Sequence, residues 1–178
     1  MLKRILLVIV AVVLAFIGYV ALQPSTFSIE RSAIVVAPVE RVFGEVNDFH
    51  NWQQWSPWAK LDPDAKATFE GPASGEGAIF RWAGNEKVGE GSMTVLESRP
   101  NEHIKIRLDF VKPWAGTNAT DFSFKPDGPR TIVTWTMSGE QGFLQKAICV
   151  FMNPDKMVGE QFEKGLANLK QLAEGKSG

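Results

Sequence analysis

The side chains best suited to catalysis are few in this sequence. It contains two histidines, His50 and His103, and one cysteine, Cys149. Neither histidine belongs to a recognisable catalytic arrangement, and both are expected to lie at the solvated surface. Cys149 lies in an apolar run from Ala147 to Phe151, which favours a buried small hydrophobic residue over a reactive thiol. The sequence therefore predicts no catalytic residue, no metal site and no cofactor, and it leaves open whether any reaction is catalysed.

Two glycine pairs superficially suggest phosphate binding, Gly75-x-Gly77 and Gly89-x-Gly91. Each pair flanks a strand rather than opening a helix, so a turn or bulge is expected instead. The chain also lacks a basic patch with interleaved aromatics, and its net charge is −1. Removing the two N-terminal cations, Lys3 and Arg4, from that total leaves −3 for the rest of the chain. Nucleic acid is therefore not an expected partner.

Aromatic residues are the more informative group, with 6 Trp and 12 Phe in 178 residues. Most should fill a core, whereas some are expected to line an apolar pocket. The residues expected on the inward, ligand-binding face are Phe80, Trp82, Met93, Val95, Leu108, Phe110, Phe122, Trp135 and Phe162. Trp55, Trp58 and Trp114 lie in Pro-bounded segments and are expected at the pocket mouth. Glu90 and Asn118 are the polar groups that would accompany them.

The N-terminal segment is the sharpest local signal. Residues 5–22 form 18 consecutive residues without a charge. A helix of that length reaches roughly 27 Å, close to the ~30 Å hydrocarbon thickness of a bilayer. With Lys3 and Arg4 before it, the positive-inside rule places the short N-terminus in the cytoplasm and the domain outside it, which is the periplasm if the cell is a Gram-negative bacterium. Two interpretations stay open, an uncleaved single-pass anchor and a cleaved signal peptide.

The elements after the anchor follow a recognisable order. Phe27 to Val36 alternates as a strand, Pro38 begins a helix with one apolar face, and a short helix is predicted at 51–55. Five or six strand-like runs follow from residue 66, separated by Gly, Pro, Asn and Asp. Asn153 and Pro154 then predict the start of a long amphipathic helix. A curved antiparallel sheet around that helix is the natural packing, which makes the fold class α+β.

Several segments resemble the SRPBCC superfamily, in its polyketide cyclase/dehydrase and lipid transport branch. The segments are 27–32 with 37–43, 47–49 with 52–58, Gly71-Pro72, 75–77, Trp82, 89–91 and 162–170. The resemblance implies a START-like helix-grip fold with a cavity between the sheet and the C-terminal helix. It covers 27–174 as one domain, which leaves 1–26 as anchor or signal peptide with a linker and 175–178 as a disordered tail.

Three functions remain open at this stage. The first is a membrane-tethered module that binds an apolar small molecule or lipid in the sheet–helix cavity without catalysis. The second is a cyclase or dehydratase acting on an apolar substrate, which a buried carboxylate with a raised pKa among the inward aromatics would favour. The third is an envelope interaction or stress protein whose core is filled.

Overall fold

The computed structural model describes residues 1–175, and of the predicted tail at 175–178 all but Gly175 lies outside the described residues. Helix α1 spans Leu2–Ala21. Within the described residues it is the single helix long and apolar enough to cross a membrane, judged by length and composition. Nearly all of its side chains are exposed, in contrast to those of a core helix. A signal sequence would pass the same test, so α1 is a candidate membrane span.

Seven strands form one antiparallel sheet in the order β1-β7-β6-β5-β4-β3-β2. Their bounds are β1 Thr26–Val35, β2 Lys66–Glu70, β3 Ile79–Ala83, β4 Glu90–Arg99, β5 His103–Lys112, β6 Gly116–Asp127 and β7 Arg130–Glu140. The predicted first strand and the six later runs are therefore confirmed. Turn glycines with positive φ, such as Gly128 at +59°, occupy connections that a side chain would strain.

Alternation along each strand sorts the side chains onto two faces. On β7, Val133, Trp135 and Met137 are buried, whereas the residues between them are half-exposed. Cross-strand register continues this inward face through the sheet: Phe122 lies opposite Trp135, and Ile104 opposite Phe122. The strand residues that the sequence assigned to the inward face, from Phe80 to Trp135, all lie on this concave side.

Two short helices enter the concave side from the β1–β2 connection. Helix α2 spans Val39–Asn47, beginning directly after Pro38, and α3 spans Trp52–Trp55 after a 3-10 turn at Phe49–Asn51. Their buried aromatics are held by backbone carbonyls: Trp52 Nε1 donates to Val46 O at 2.8 Å. The chain between β1 and β2 therefore packs into the sheet rather than looping over solvent.

Helix α5, Pro154–Ala173, lies across the concave face as the sequence predicts. Asn153 caps it by accepting a hydrogen bond from the Lys156 amide at 3.0 Å. Its buried residues, Phe162, Leu166 and Leu169, follow helical spacing and complete the core. The α+β helix-grip prediction is thereby confirmed.

One helix was not predicted, α4 at Phe143–Cys149. The sequence analysis treated this segment as the surroundings of a buried Cys149. In the structure Cys149 is half-buried, and the neighbouring Val150 and Phe151 are exposed. The expectation of a buried thiol was wrong because the apolar residues of this segment do not turn into the sheet core.

Candidate ligand-binding site

The part of the concave face under α2, α3 and α5 is tightly filled by aromatic rings. Trp135 stacks on Phe162 with ring centroids 4.1 Å apart and an interplanar angle of 8°. Phe122 lies 4.9 Å from the same indole, and Trp55 meets it edge-on at 5.7 Å. Offset and edge contacts of this kind add about 0.5–1.5 kcal/mol per pair to the burial of the rings. We call this region the packed end; its buried sheet residues are Ile29, Val95, Ile104, Ile106, Thr120, Phe122, Phe124, Val133, Trp135 and Met137.

Close helix–sheet approach explains how the packed end is closed. A Cβ built on Gly165 of α5 would lie 2.8 Å from Trp135 Cζ3, so only glycine admits the indole here. The guanidinium of Arg31 similarly occupies the space above Gly159. Arg31 Nε donates to Glu163 at 2.8 Å and its Nη atoms reach Asp155 at 3.1 Å. These contacts hold the first three turns of α5 onto β1.

The indole nitrogen of Trp135 is the one chemically unusual atom of the packed end. Trp135 is 2% exposed, and its Nε1 has no hydrogen-bond partner among the described residues. The indole nitrogens of Trp52, Trp55 and Trp82, by contrast, each donate to a backbone carbonyl at 2.8–3.0 Å. Burial of an unsatisfied N–H costs about 1–3 kcal/mol, so the surrounding packing outweighs that cost.

Beyond the packed end, the same concave face continues without full cover. We call this the open end; its half-buried residues are Phe27, Phe80, Trp82, Leu108, Phe110 and Asn118. Trp82 stacks on Phe80 at 5.9 Å and meets Phe110 edge-on at 6.0 Å. Gly91 lies beneath the Trp82 ring, where a Cβ would come within 2.6 Å of it. An apolar floor with one amide, that of Asn118, is thus left partly accessible.

The structure divides the predicted ligand-binding residues between these two ends. Trp55, Val95, Phe122, Trp135 and Phe162 lie in the packed end, and Met93, which is 8% exposed, lies between Phe80 and Leu108 in the register. Trp58 is half-buried and packs on the packed end, where its ring meets both Trp135 and Phe162 edge-on. Whether any of them contacts a ligand stays a prediction.

The residues predicted at the pocket mouth differ widely in burial. Trp55 was expected at the mouth, but it is fully buried, because α3 turns it inward and Glu45 O accepts its indole N–H at 3.0 Å. Trp114 lies in the β5–β6 connection and is 70% exposed, at the open end of the sheet. Sequence reasoning missed Phe27, although the alternation of the first strand places it on the same face as Ile29.

Carboxylates with shifted pKa values lie outside the concave face. Hydrogen bonds from Thr117 and Arg107 lower the pKa of Asp109, and a hydrogen bond from Arg81 lowers that of Glu70. Glu90, one of the polar groups anticipated from the sequence, pairs with Lys112 at 2.7 Å.

A separate cleft of about 270 Å³ lies at the β2 edge of the sheet. It is lined by Phe49, His50, Phe69, Glu70, Gly71, Pro72, Ala73, Ala78 and Ile79. The His50 ring stacks on Phe69 at 4.1 Å, and its Nδ1 lies 2.7 Å from Asp48 Oδ1. None of these residues was predicted for the site, since the 3-10 turn at Phe49–Asn51 and strand β2 come together only in the folded chain.

Comparison with solved structures identifies the fold. A Chromobacterium violaceum protein, CV1439, superposes with a TM-score of 0.60 at 17% identity, covering 85% of this chain and 99% of its own. A protein from Nitrosospira multiformis gives 0.61 at 21% identity, covering 83% and 96%. The di-domain ARO/CYC StfQ from the steffimycin biosynthetic pathway gives 0.61 at 11% identity, covering 85% of this chain and 51% of its own. At such identities the likeness concerns the fold alone.

A search of curated proteins found no match to this chain. The family model described as "Polyketide cyclase / dehydrase and lipid transport" matches residues 26–174, which include the whole sheet, α2 to α5 and both ends of the concave face. That fold is consistent with the binding of hydrophobic ligands. The chain belongs to the polyketide cyclase/dehydrase and lipid transport family.

Proposed function

We propose that this protein binds an apolar small molecule or lipid at the open end of its concave face, while α1 tethers the domain to a membrane. The observation that carries the proposal is the half-burial of Phe80, Trp82, Leu108 and Phe110 on an inward face whose other half is fully packed. Apolar side chains in a concave surface with few polar groups are typical of small-molecule sites.

The shape of the ligand follows from the packing. The next cross-strand row inward from the open end, Ile106, Thr120 and Met137, is buried, so a ligand would rest against that row rather than pass beneath α5. The amide of Asn118 is the polar side chain best placed to orient it, directly opposite Leu108 in the register. We therefore propose an occupant with one polar group and an extended apolar part, such as a fatty acid or a lipid chain.

The packed end supports the interpretation of an envelope protein whose core is filled. The open end supports the interpretation of a ligand-binding module. They differ in what a purified domain does with an apolar probe. The test uses residues 26–178, folded as judged by circular dichroism, and cis-parinaric acid, whose fluorescence rises in an apolar site. We expect saturable binding that unlabelled stearate competes away.

Matched tryptophan substitutions sharpen this experiment. Leu108→Trp fills the open end and should weaken cis-parinaric acid binding by about tenfold or more, which corresponds to about 1.4 kcal/mol. Ile34→Trp adds the same group to an exposed position of β1 on the other face and should leave binding unchanged. Absence of binding in the wild type, or equal binding by both variants, would contradict the proposal.

A further inference from the structure

The open end of the concave face and the attachment of α1 lie at the same end of the sheet. Strand pairing places Thr26 opposite Glu140, so β1 begins where β7 ends. The same antiparallel order brings the β5–β6 connection beside them, because Phe110 pairs with Gly116 and Asn118 with Gly139. The chain entering from α1, the chain leaving to α4 and the half-buried Trp82 and Phe110 therefore share one end of the molecule.

This end carries an unpartnered apolar surface. We call it the juxtamembrane patch: Phe143, Leu144, Val150, Phe151 and Met152, which are 37% to 80% exposed. From Gln141 to Asn153 the sequence contains a single charge, Lys146. Trp114, in the β5–β6 connection at the same end of the sheet, is also exposed. A soluble protein rarely leaves such a group of large apolar side chains in water without a partner.

Contacts between α1 and α4 indicate what covers the patch. The Phe151 ring lies 5.8 Å from Phe16 of α1, and Val20 near the end of α1 is fully buried. Lys146 Nζ donates to Gln23 O at 3.0 Å and to Ala21 O at 3.3 Å, which satisfies carbonyls at the C-terminus of α1. The patch is thus continuous with the apolar surface of α1 rather than separated from it by a free linker.

The depth of the contact agrees with a position in the membrane interface. Phe16 precedes Ala21 by five residues, or about 7.5 Å along a helix. If the C-terminus of α1 marks the boundary of the bilayer, Phe151 lies about that far inside it. Interfacial helices bury their apolar face roughly 5–10 Å into the headgroup and acyl boundary, and Trp is favoured at the same level.

We infer that residues 143–152, with Trp114, dock on the outer surface of the bilayer that α1 crosses, so that the open end faces the lipid. The inference rests on the proposed tethering by α1. In this arrangement the domain lies against the membrane surface and does not move freely on a linker. An apolar ligand would then pass between the bilayer and the open end without crossing water. The occupant of the patch is a lipid bilayer rather than a second protein.

The test measures depth in the membrane with spin labels on the full chain in phosphatidylcholine liposomes. Single cysteines replace Phe151, Leu144, Trp114, Leu14 or Ile34 in a Cys149→Ser background whose thermal unfolding matches the wild type. Oxygen concentrates in the bilayer, whereas a nickel chelate stays in water. We expect labels at 151, 144 and 114 to show a several-fold higher ratio of oxygen to nickel accessibility than the label at 34. Residue 34 lies roughly 26 Å along β1 from its start.

The label at position 14 distinguishes a failure of the docking inference from a failure of the proposed tether. If Leu14→Cys reports hydrocarbon depth but positions 151, 144 and 114 match position 34, the tether stands and the docking inference is overturned. If position 14 is itself aqueous, or the segment has been removed, the proposed tether fails. Should the Cys149→Ser background not fold, phospholipids brominated on their acyl chains are used with the wild type and Trp114→Phe. Quenching that is lost in Trp114→Phe supports docking, and equal quenching contradicts it.

Discussion

The two ends of one concave surface have different properties although they share strands, face and composition. At the packed end Trp135, Phe122 and Phe162 are at most 2% exposed, whereas at the open end Trp82 and Phe110 remain half-buried. The difference lies in what covers these rings. Helices α5 and α3 pack against the rings of the packed end and do not cover Trp82 and Phe110. A tryptophan is therefore fully withdrawn from water at one end and partly accessible at the other.

The largest expected effect comes from removing the central ring of the packed end. Trp135→Ala should cost about 3–5 kcal/mol of unfolding free energy, since it leaves a cavity among rings that cannot collapse. Trp82→Ala at the open end should cost about 1–2 kcal/mol, because its ring is only partly withdrawn from water. Urea unfolding followed by circular dichroism measures both. Equal losses, or a loss below ~1 kcal/mol for Trp135→Ala, would remove the distinction between the ends.

A smaller effect tests how closely α5 approaches the sheet. Gly165→Ala places a methyl group against Trp135 and Pro57, and overpacking of this kind costs about 1–3 kcal/mol, of which better helix propensity restores about 1. Gly44→Ala in α2 is the matched control, because nothing lies within 4 Å of the added carbon. It should stabilise the protein by up to about 1 kcal/mol. A melting temperature raised by both substitutions would show that the helix can shift outward at the packed end.

The smallest effect concerns the ion pairs that hold α5 over β1. The hydrogen bond from Arg31 lowers the pKa of Asp155, so the folded state binds this proton less readily than the unfolded chain. The stabilisation is therefore complete above the unfolded pKa of about 3.9 and is lost as the pH falls through the lower folded value.

Asp155→Asn should accordingly be less stable than the wild type near neutral pH, with a difference that shrinks below about pH 4. Chemical unfolding at a series of pH values measures it. Asp64→Asn, at an exposed site between α3 and β2, is the control for the loss of one negative charge. The magnitude should be modest, because the carboxylate is largely exposed and water screens the pair. A pH-independent difference would show that the charge of Asp155 does not contribute to the stability.

Local patterns allowed much of the fold to be predicted. Alternation in β5 from Ile104 to Phe110 was enough to place its inward residues, and Asn153-Pro154 located the start of α5 to the residue. Both signals are local, because a strand repeats every two residues and a cap satisfies amides within one turn. Helix α4 was not predicted, because the apolar run at Phe143–Cys149 is short. Its hydrophobic periodicity does not distinguish a buried core segment from an exposed one.

The amino-acid sequence by itself determined the candidate span, the order of strands and helices apart from α4, and the residues of the inward face. These follow from periodicity, capping and the run of residues without charge, all of which act over a few neighbours in the chain. The family came from the resemblance of whole segments. Only the tertiary structure decided that Trp55 is core, that the inward face is half covered, and that Phe151 meets Phe16. Those facts depend on which distant segments pack together, and the free energy of burial depends on contact area rather than on sequence spacing.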